Sequence, residues 1–196
     1  MLPQPIQVTL KVVTAFERLG IPYLIGGSLA SAVYGIVRAT MDADLVADIK
    51  SSHISSLVSL LENEFYIDGE MILDAIQHNS SFNLIHLATM FKVDVFVLKQ
   101  RPFDINQMQR RISQPVGDSP EDRAFFSTAE DIVLAKLEWF RAGGETSERQ
   151  WRDILGMLDI QGERLDFEYL QKWAAILGIQ DLLQRAIRIS QGNGNV

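Results

Sequence analysis

Asp42 and Asp44 lie two residues apart in residues 41–49, a stretch that reads as a β-strand, so both carboxylates project from one face of it. Asp48 lies on that face farther along. Carboxylates side by side repel each other, and a folded chain tolerates them when a cation sits between them or one keeps its proton. A third acid, Asp94, stands inside the apolar run 91–98, where Lys92, Asp94 and Phe96 share a face and Val93, Val95 and Val97 take the other. An acid in such a run is costly unless it is compensated. Magnesium prefers hard oxygen ligands and is commonly shared between a few carboxylates and substrate phosphates. Three aspartates on adjacent strands suit two Mg2+ or Mn2+ ions, an arrangement that serves phosphoryl and nucleotidyl transfer. Asp94 is then also the best candidate for a general base.

Upstream, Gly26-Gly27-Ser28 falls between a predicted strand over 21–25 and a short helix over 28–36. Backbone N–H groups without side-chain cover, next to a helix N-terminus, can cradle phosphate. Taken singly, Gly-Gly is explained by a tight turn and Asp-x-Asp by a solvated strand end. Their joint occurrence favours a site that binds metal and phosphate over either of these explanations.

The elements that must position these residues follow from periodicity. Ile6, Leu10, Val13 and Phe16 predict a first helix over 5–19, ended by Gly20 and Pro22. Ile54, Leu57, Val58 and Leu61 predict another over 51–64. Two β-prone runs, 83–87 and 91–98, are close enough to form an antiparallel hairpin. The first half is therefore an α/β unit with a mixed sheet. From Ser127 the pattern turns helical: Ser127-Thr128-Ala129-Glu130 and Ser147-Glu148-Arg149-Gln150 read as capping boxes. Phe167, Leu170, Trp173 and Leu177 predict a third helix there, and Leu182, Leu183, Ala186 and Ile187 a fourth. Trp139, Trp151 and Trp173 are expected to be core anchors of these helices, and the charges Arg149, Arg152 and Asp153 a solvated helix start. Lys136 falls on the apolar side of its helix among Ile132, Val133, Leu137 and Phe140, so its ammonium wants an anionic partner.

Ile25-Gly26-Gly27-Ser28, then Asp42-Ala43-Asp44-Leu45 and later Asp94, resembles the signature of the nucleotidyltransferase superfamily typified by DNA polymerase beta and kanamycin nucleotidyltransferase. Arg38-Ala39-Thr40-Met41-Asp42-Ala43-Asp44, with Glu130-Asp131-Ile132-Val133-Leu134-Ala135-Lys136-Leu137, is similar to minimal bacterial members that include the AbiEii-type toxins. The resemblance implies an α+β fold, a mixed sheet flanked by helices and followed by a small C-terminal helical bundle. The expected division is an α/β domain over 1–112, a linker over 113–126, a helical subdomain over 127–190 and a flexible tail over 191–196. It also implies a triphosphate at Gly26, Gly27 and Ser28, metal at Asp42, Asp44 and Asp94, and phosphate contact by Lys136. The implied reaction moves a nucleoside monophosphate to a hydroxyl acceptor, which is a protein, a transfer RNA end or a small molecule. The toxin-type likeness adds a role in a toxin–antitoxin or phage-defence pair, with a cognate antitoxin as partner.

Composition narrows the alternatives. The chain has 196 residues, of which 47% are hydrophobic, enough to bury a core without staples. It has no cysteine, which excludes disulfides, thiolate catalysis and sulfur-ligated zinc. The three histidines, His53, His78 and His86, have no ligand spacing. No basic-then-apolar leader and no long apolar span is present, so a cytoplasmic protein without membrane partners is expected. A net charge of -7 argues against broad binding to DNA, although Arg110, Arg111, Arg149 and Arg152 offer a local basic patch. Asp42-Ala43-Asp44-Leu45-Val46 also fits the nucleophile motif of haloacid-dehalogenase-type phosphatases. That motif needs a continuous apolar strand before its first aspartate, where this chain has Arg38-Ala39-Thr40-Met41. The competing expectation from another class is a non-catalytic nucleotide-binding or partner-binding module that keeps the same fold.

Overall fold

The computed structural model describes residues 3–36, 40–116 and 122–193. These fall into two compact units. One comprises residues up to Leu29 together with the segment from 39 through Ser127, and the other comprises residues 30–38 and 128 onward.

The first unit is built on a mixed sheet of seven strands, among the described residues, in the order β3-β4-β5-β2-β1-β7-β6. They are β1 (Tyr23–Ile25), β2 (Asp42–Ala47), β3 (Phe65–Tyr66), β4 (Ser81–His86), β5 (Lys92–Val97), β6 (Ile112–Pro115) and β7 (Arg123–Phe126). β2 runs parallel to β5 and antiparallel to β1, while β4 and β5 form the expected antiparallel hairpin. β2 and β5 both alternate half-buried and buried residues. Their buried sets are Ala43, Leu45 and Ala47 on one strand and Val93, Val95 and Val97 on the other. Burying a Val or Leu side chain fully contributes about 1.5–3 kcal/mol, so a one-residue slip of either strand would forfeit the core face and turn the acids into it. α1 (Gln4–Arg18) adds Val8, Val12, Val13 and Phe16 to the core. Tyr23 on β1 is buried, donates to Glu17 Oε1 at 2.8 Å, and accepts from the Phe125 N–H. Burial above all, then that bond to Glu17, pushes its phenol above the ordinary range.

Several elements of this unit lie outside the sequence expectations. α4 (Gly69–His78) is capped by Asp68, whose carboxylate accepts from the Glu70 and Met71 N–H groups, and ends on Asn79 in the left-handed conformation. α5 (Pro102–Arg110) begins on a proline, whose missing N–H costs nothing at that position. The helix expected over 51–64 is a short 3-10 turn followed by α3 (Ile54–Leu61). Residues 113–126, expected as a linker, instead carry most of β6 and all of β7 at the sheet's edge. β7 is anchored there because it runs parallel to β1 and because the Ser127 N–H donates to the Ile25 carbonyl. The rest of that segment, 117–121, is outside the described residues.

The second unit contains α6 (Ala129–Ala142), α7 (Glu148–Gln161), α8 (Phe167–Leu177) and α9 (Gln180–Asn193). α2 (Gly27–Val33) begins in the first unit and ends in this one. Ser147 caps α7 as expected, accepting from the Gln150 N–H. The α6 cap is displaced by one residue from the expected box: Thr128 accepts from the Asp131 N–H. Trp173 is buried, and the half-buried Trp151 packs its ring 5.1 Å from that of Phe140. Trp139, expected as a third anchor, is 56% exposed because the α6 core face is filled by Val133, Leu137 and Phe140. Of the expected tail, residues 191–193 continue α9 and 194–196 lie outside the described residues. No described helix is long and apolar enough to cross a membrane. The fold class expected from the sequence, a mixed sheet with flanking helices followed by a helical set, is the one observed.

Candidate active site

The parallel pairing of β2 with β5 sets the site. Its register places Asp44 opposite Asp94 and Asp42 opposite Lys92. Since side chains two apart share a face, all three aspartates and Lys92 stand on the same side of the sheet, each half-buried. β4 extends the row, with Asn83 opposite Asp94. Farther along the face the polar surface gives way to an apolar floor, where Val46 packs on Leu24, Leu98 and Met108. The acids thus occupy the open end of a face whose other end is closed by side chains.

The glycine turn meets the acids directly. β1 pairs antiparallel with β2, and the Gly26 N–H extends that ladder by donating to the Asp44 carbonyl at 2.8 Å. Gly27 has φ +55, and a Cβ built on it would stand 1.9 Å from Asp44 Oδ2. A side chain at this position would strain a left-handed backbone and force the Asp44 carboxylate to move, so glycine is favoured on both counts. Ser28 follows, buried. At the other acid, the Thr40 hydroxyl lies 2.9 Å from Asp42 Oδ1 and 3.0 Å from the Asp42 carbonyl. Arg38 and Ala39, part of the quoted motif, are outside the described residues.

The electrostatics are unequal. Three carboxylates share the face with the Lys92 ammonium, whose Nζ is 2.7 Å from Asp94 Oδ2. Its hydrogen bond to Asp94 chiefly, with the further attraction of Asp94, Asp42 and Asp44, holds the lysine above its ordinary value. The need for a cation, inferred from the acids alone, is thus met in part by a side chain of the same strand, which the sequence reading had placed on this face without giving it a role. Among the described residues, no three acidic or histidine side chains form a ready-made metal cage. Magnesium rarely requires one, because it takes one or two carboxylates and completes its shell with phosphate and water. The donor set, hard carboxylate oxygens packed against a glycine turn, fits such an ion.

Lys136, the remaining expected phosphate contact, belongs to the helical unit. It finds its anionic partner there: Nζ lies 2.9 Å from Asp153 Oδ2, and both side chains are largely buried. Asp153 is accordingly no solvated helix start, and the partner could not be read from α6 alone because it is supplied by α7.

No family model matches the chain, and no curated protein does either. Solved structures do. An antigenic nucleotidyltransferase-like protein from Paracoccidioides brasiliensis matches over 96% of this chain and 94% of its own, at 16% identity and a TM-score of 0.57. The protein ANT(2'')-Ia, crystallised in complex with adenylyl-2''-tobramycin, matches over 89% of this chain and 97% of its own, at 12% identity and a TM-score of 0.59. The solution structure of the same antibiotic-resistance factor covers 87% and 94%, at 12% identity and a TM-score of 0.52. At these identities the likeness is one of architecture, and the chain has a nucleotidyltransferase-like fold.

Proposed function

We propose that this chain transfers a nucleoside monophosphate from a nucleoside triphosphate to a hydroxyl acceptor. The observation that carries the reading is the lateral alignment of Asp44 with Asp94, with Asp42 on the same face and Gly27 against the Asp44 carboxylate. Gly26, Gly27 and Ser28 bind the triphosphate through a turn whose two glycines carry no side chain of their own. Asp42, Asp44 and Asp94 hold Mg2+ or Mn2+, which when bound neutralises phosphate charge and makes the acceptor hydroxyl easier to deprotonate. The acceptor oxygen forms a bond to the α-phosphorus, the bond from that phosphorus to the bridging oxygen breaks, and pyrophosphate leaves. Asp94 takes the hydroxyl proton, its carboxylate standing at the open end of the face. Lys136 is assigned to phosphate by resemblance, with Asp153 holding its ammonium in place.

The acceptor is a protein, a transfer RNA end or a small molecule, and the acidic chain makes a long nucleic acid the least favoured. A cytoplasmic role in a toxin–antitoxin or phage-defence pair, with a cognate antitoxin as partner, belongs to the same reading. A second reading, a nucleotide-binding module without catalysis, draws support from one observation: the Lys92 ammonium engages the acid that would accept the proton.

One experiment separates them. The chain is incubated with Mg2+, a cell extract and each ribonucleoside triphosphate labelled at the α-phosphate, alongside the Asp42→Ala/Asp44→Ala variant. Label moving to one class of molecule with the native chain alone names donor and acceptor. Equal labelling by both proteins removes the catalytic assignment, and retention of triphosphate without transfer favours the second reading.

A further inference from the structure

Lys92 has no part in the proposed transfer, yet it stands on the carboxylate face beside Asp42 and Asp94. It lies opposite Asp42 in the β2–β5 register and two residues before Asp94 on the same face. Its Nζ reaches Asp94 Oδ2 at 2.7 Å, while the side chain remains 42% exposed against 20% for Asp94. A flexible, partly solvated ammonium can leave such a position at little cost. A divalent ion on the same carboxylate oxygen would face it at short range, and like charges this close repel strongly away from bulk water.

We propose that Lys92 is a resident counterion of the carboxylate face, which keeps the three acids compatible when no metal is bound and which an incoming divalent metal displaces. The inference rests on the metal reading of Asp42, Asp44 and Asp94. Its consequence is an exchange between one internal cation and an external one, which weakens metal binding in the absence of nucleotide. The triphosphate gives the displaced ammonium an alternative anionic partner, so metal and nucleotide bind more tightly together than either does alone.

The test measures free Mn2+ by electron paramagnetic resonance during titration of the native chain, Lys92→Met, Lys92→Arg and Lys99→Met, with no nucleotide present. Lys99 is exposed beyond the end of β5 and controls for net charge. Lys92→Met is expected to bind Mn2+ about tenfold more tightly than the native chain, the scale of a charge interaction near a protein surface, while Lys92→Arg and Lys99→Met stay near the native value. Thermal unfolding in chelator adds a second readout: Lys92→Met melts lower than the native chain, and saturating Mn2+ closes the gap. Unchanged or weaker Mn2+ binding by Lys92→Met, with the native chain binding normally, overturns the inference and leaves the metal reading standing. Absence of Mn2+ binding by both proteins overturns the two together.

Discussion

In the helical unit, each buried acid has donors of its own. Asp131 is fully buried at the start of α6, accepting from the Tyr169 hydroxyl at 2.5 Å and the Thr128 hydroxyl at 2.9 Å. Glu130 accepts from the Asp166 N–H, and Asp153 pairs with Lys136. In the sheet unit, Asp42, Asp44 and Asp94 are less buried and share one face with each other and with the Lys92 ammonium, the Thr40 hydroxyl lying on Asp42. Buried acids with dedicated donors fix a structure, because removing a partner strands a charge. Three carboxylates brought onto one face repel each other, and that arrangement is what the proposed cation site rests on.

The comparison breaks most visibly at the Lys136–Asp153 pair. Asp153→Ala leaves an ammonium with little solvent, and we expect a loss of roughly 3 kcal/mol in denaturant unfolding. A loss under about 0.5 kcal/mol, within the range of surface substitutions, would mean the pair is not structural. At the junction of turn and carboxylate, Gly27→Ala combines a left-handed backbone with a methyl on the Asp44 carboxylate. A cost of about 2 kcal/mol is expected, together with loss of the thermal stabilisation given by Mg2+ and triphosphate. Retention of that stabilisation would detach Gly27 from the site. The smallest effect on stability, and the sharpest contrast, is expected for Asp44→Asn. Relieving repulsion should leave metal-free stability within about 1 kcal/mol of native, on the stable side, while the shift given by Mg2+ and triphosphate disappears. A large destabilisation would put Asp44 in the same class as Asp131.

Much of the candidate site's local geometry was legible before any coordinates. The alternation around Asp42, Asp44 and Asp94 is a local property of each strand, and the backbone period of two converts it directly into a shared face. The Gly-Gly turn and the Ser147 cap are likewise local. Signals for α4 and α5 were present as Asp68, Asn79 and Pro102, and α4 also carries Ile72, Ala75 and Ile76 at helical spacing, but neither segment is among the sequence expectations. β6 and β7 gave weaker signals still, since Ile112–Pro115 has no buried residue and its strand character comes from pairing with β7.

Residue order by itself determined which side chains share a face and where the turn lies, because those depend on backbone geometry over a few residues. Only the folded chain decided that Asp44 stands beside Asp94, that Lys92 stands beside Asp42, and that Asp153 answers Lys136. Each of these joins residues on separate elements, and such register is set by the packing of the whole core rather than by any local preference.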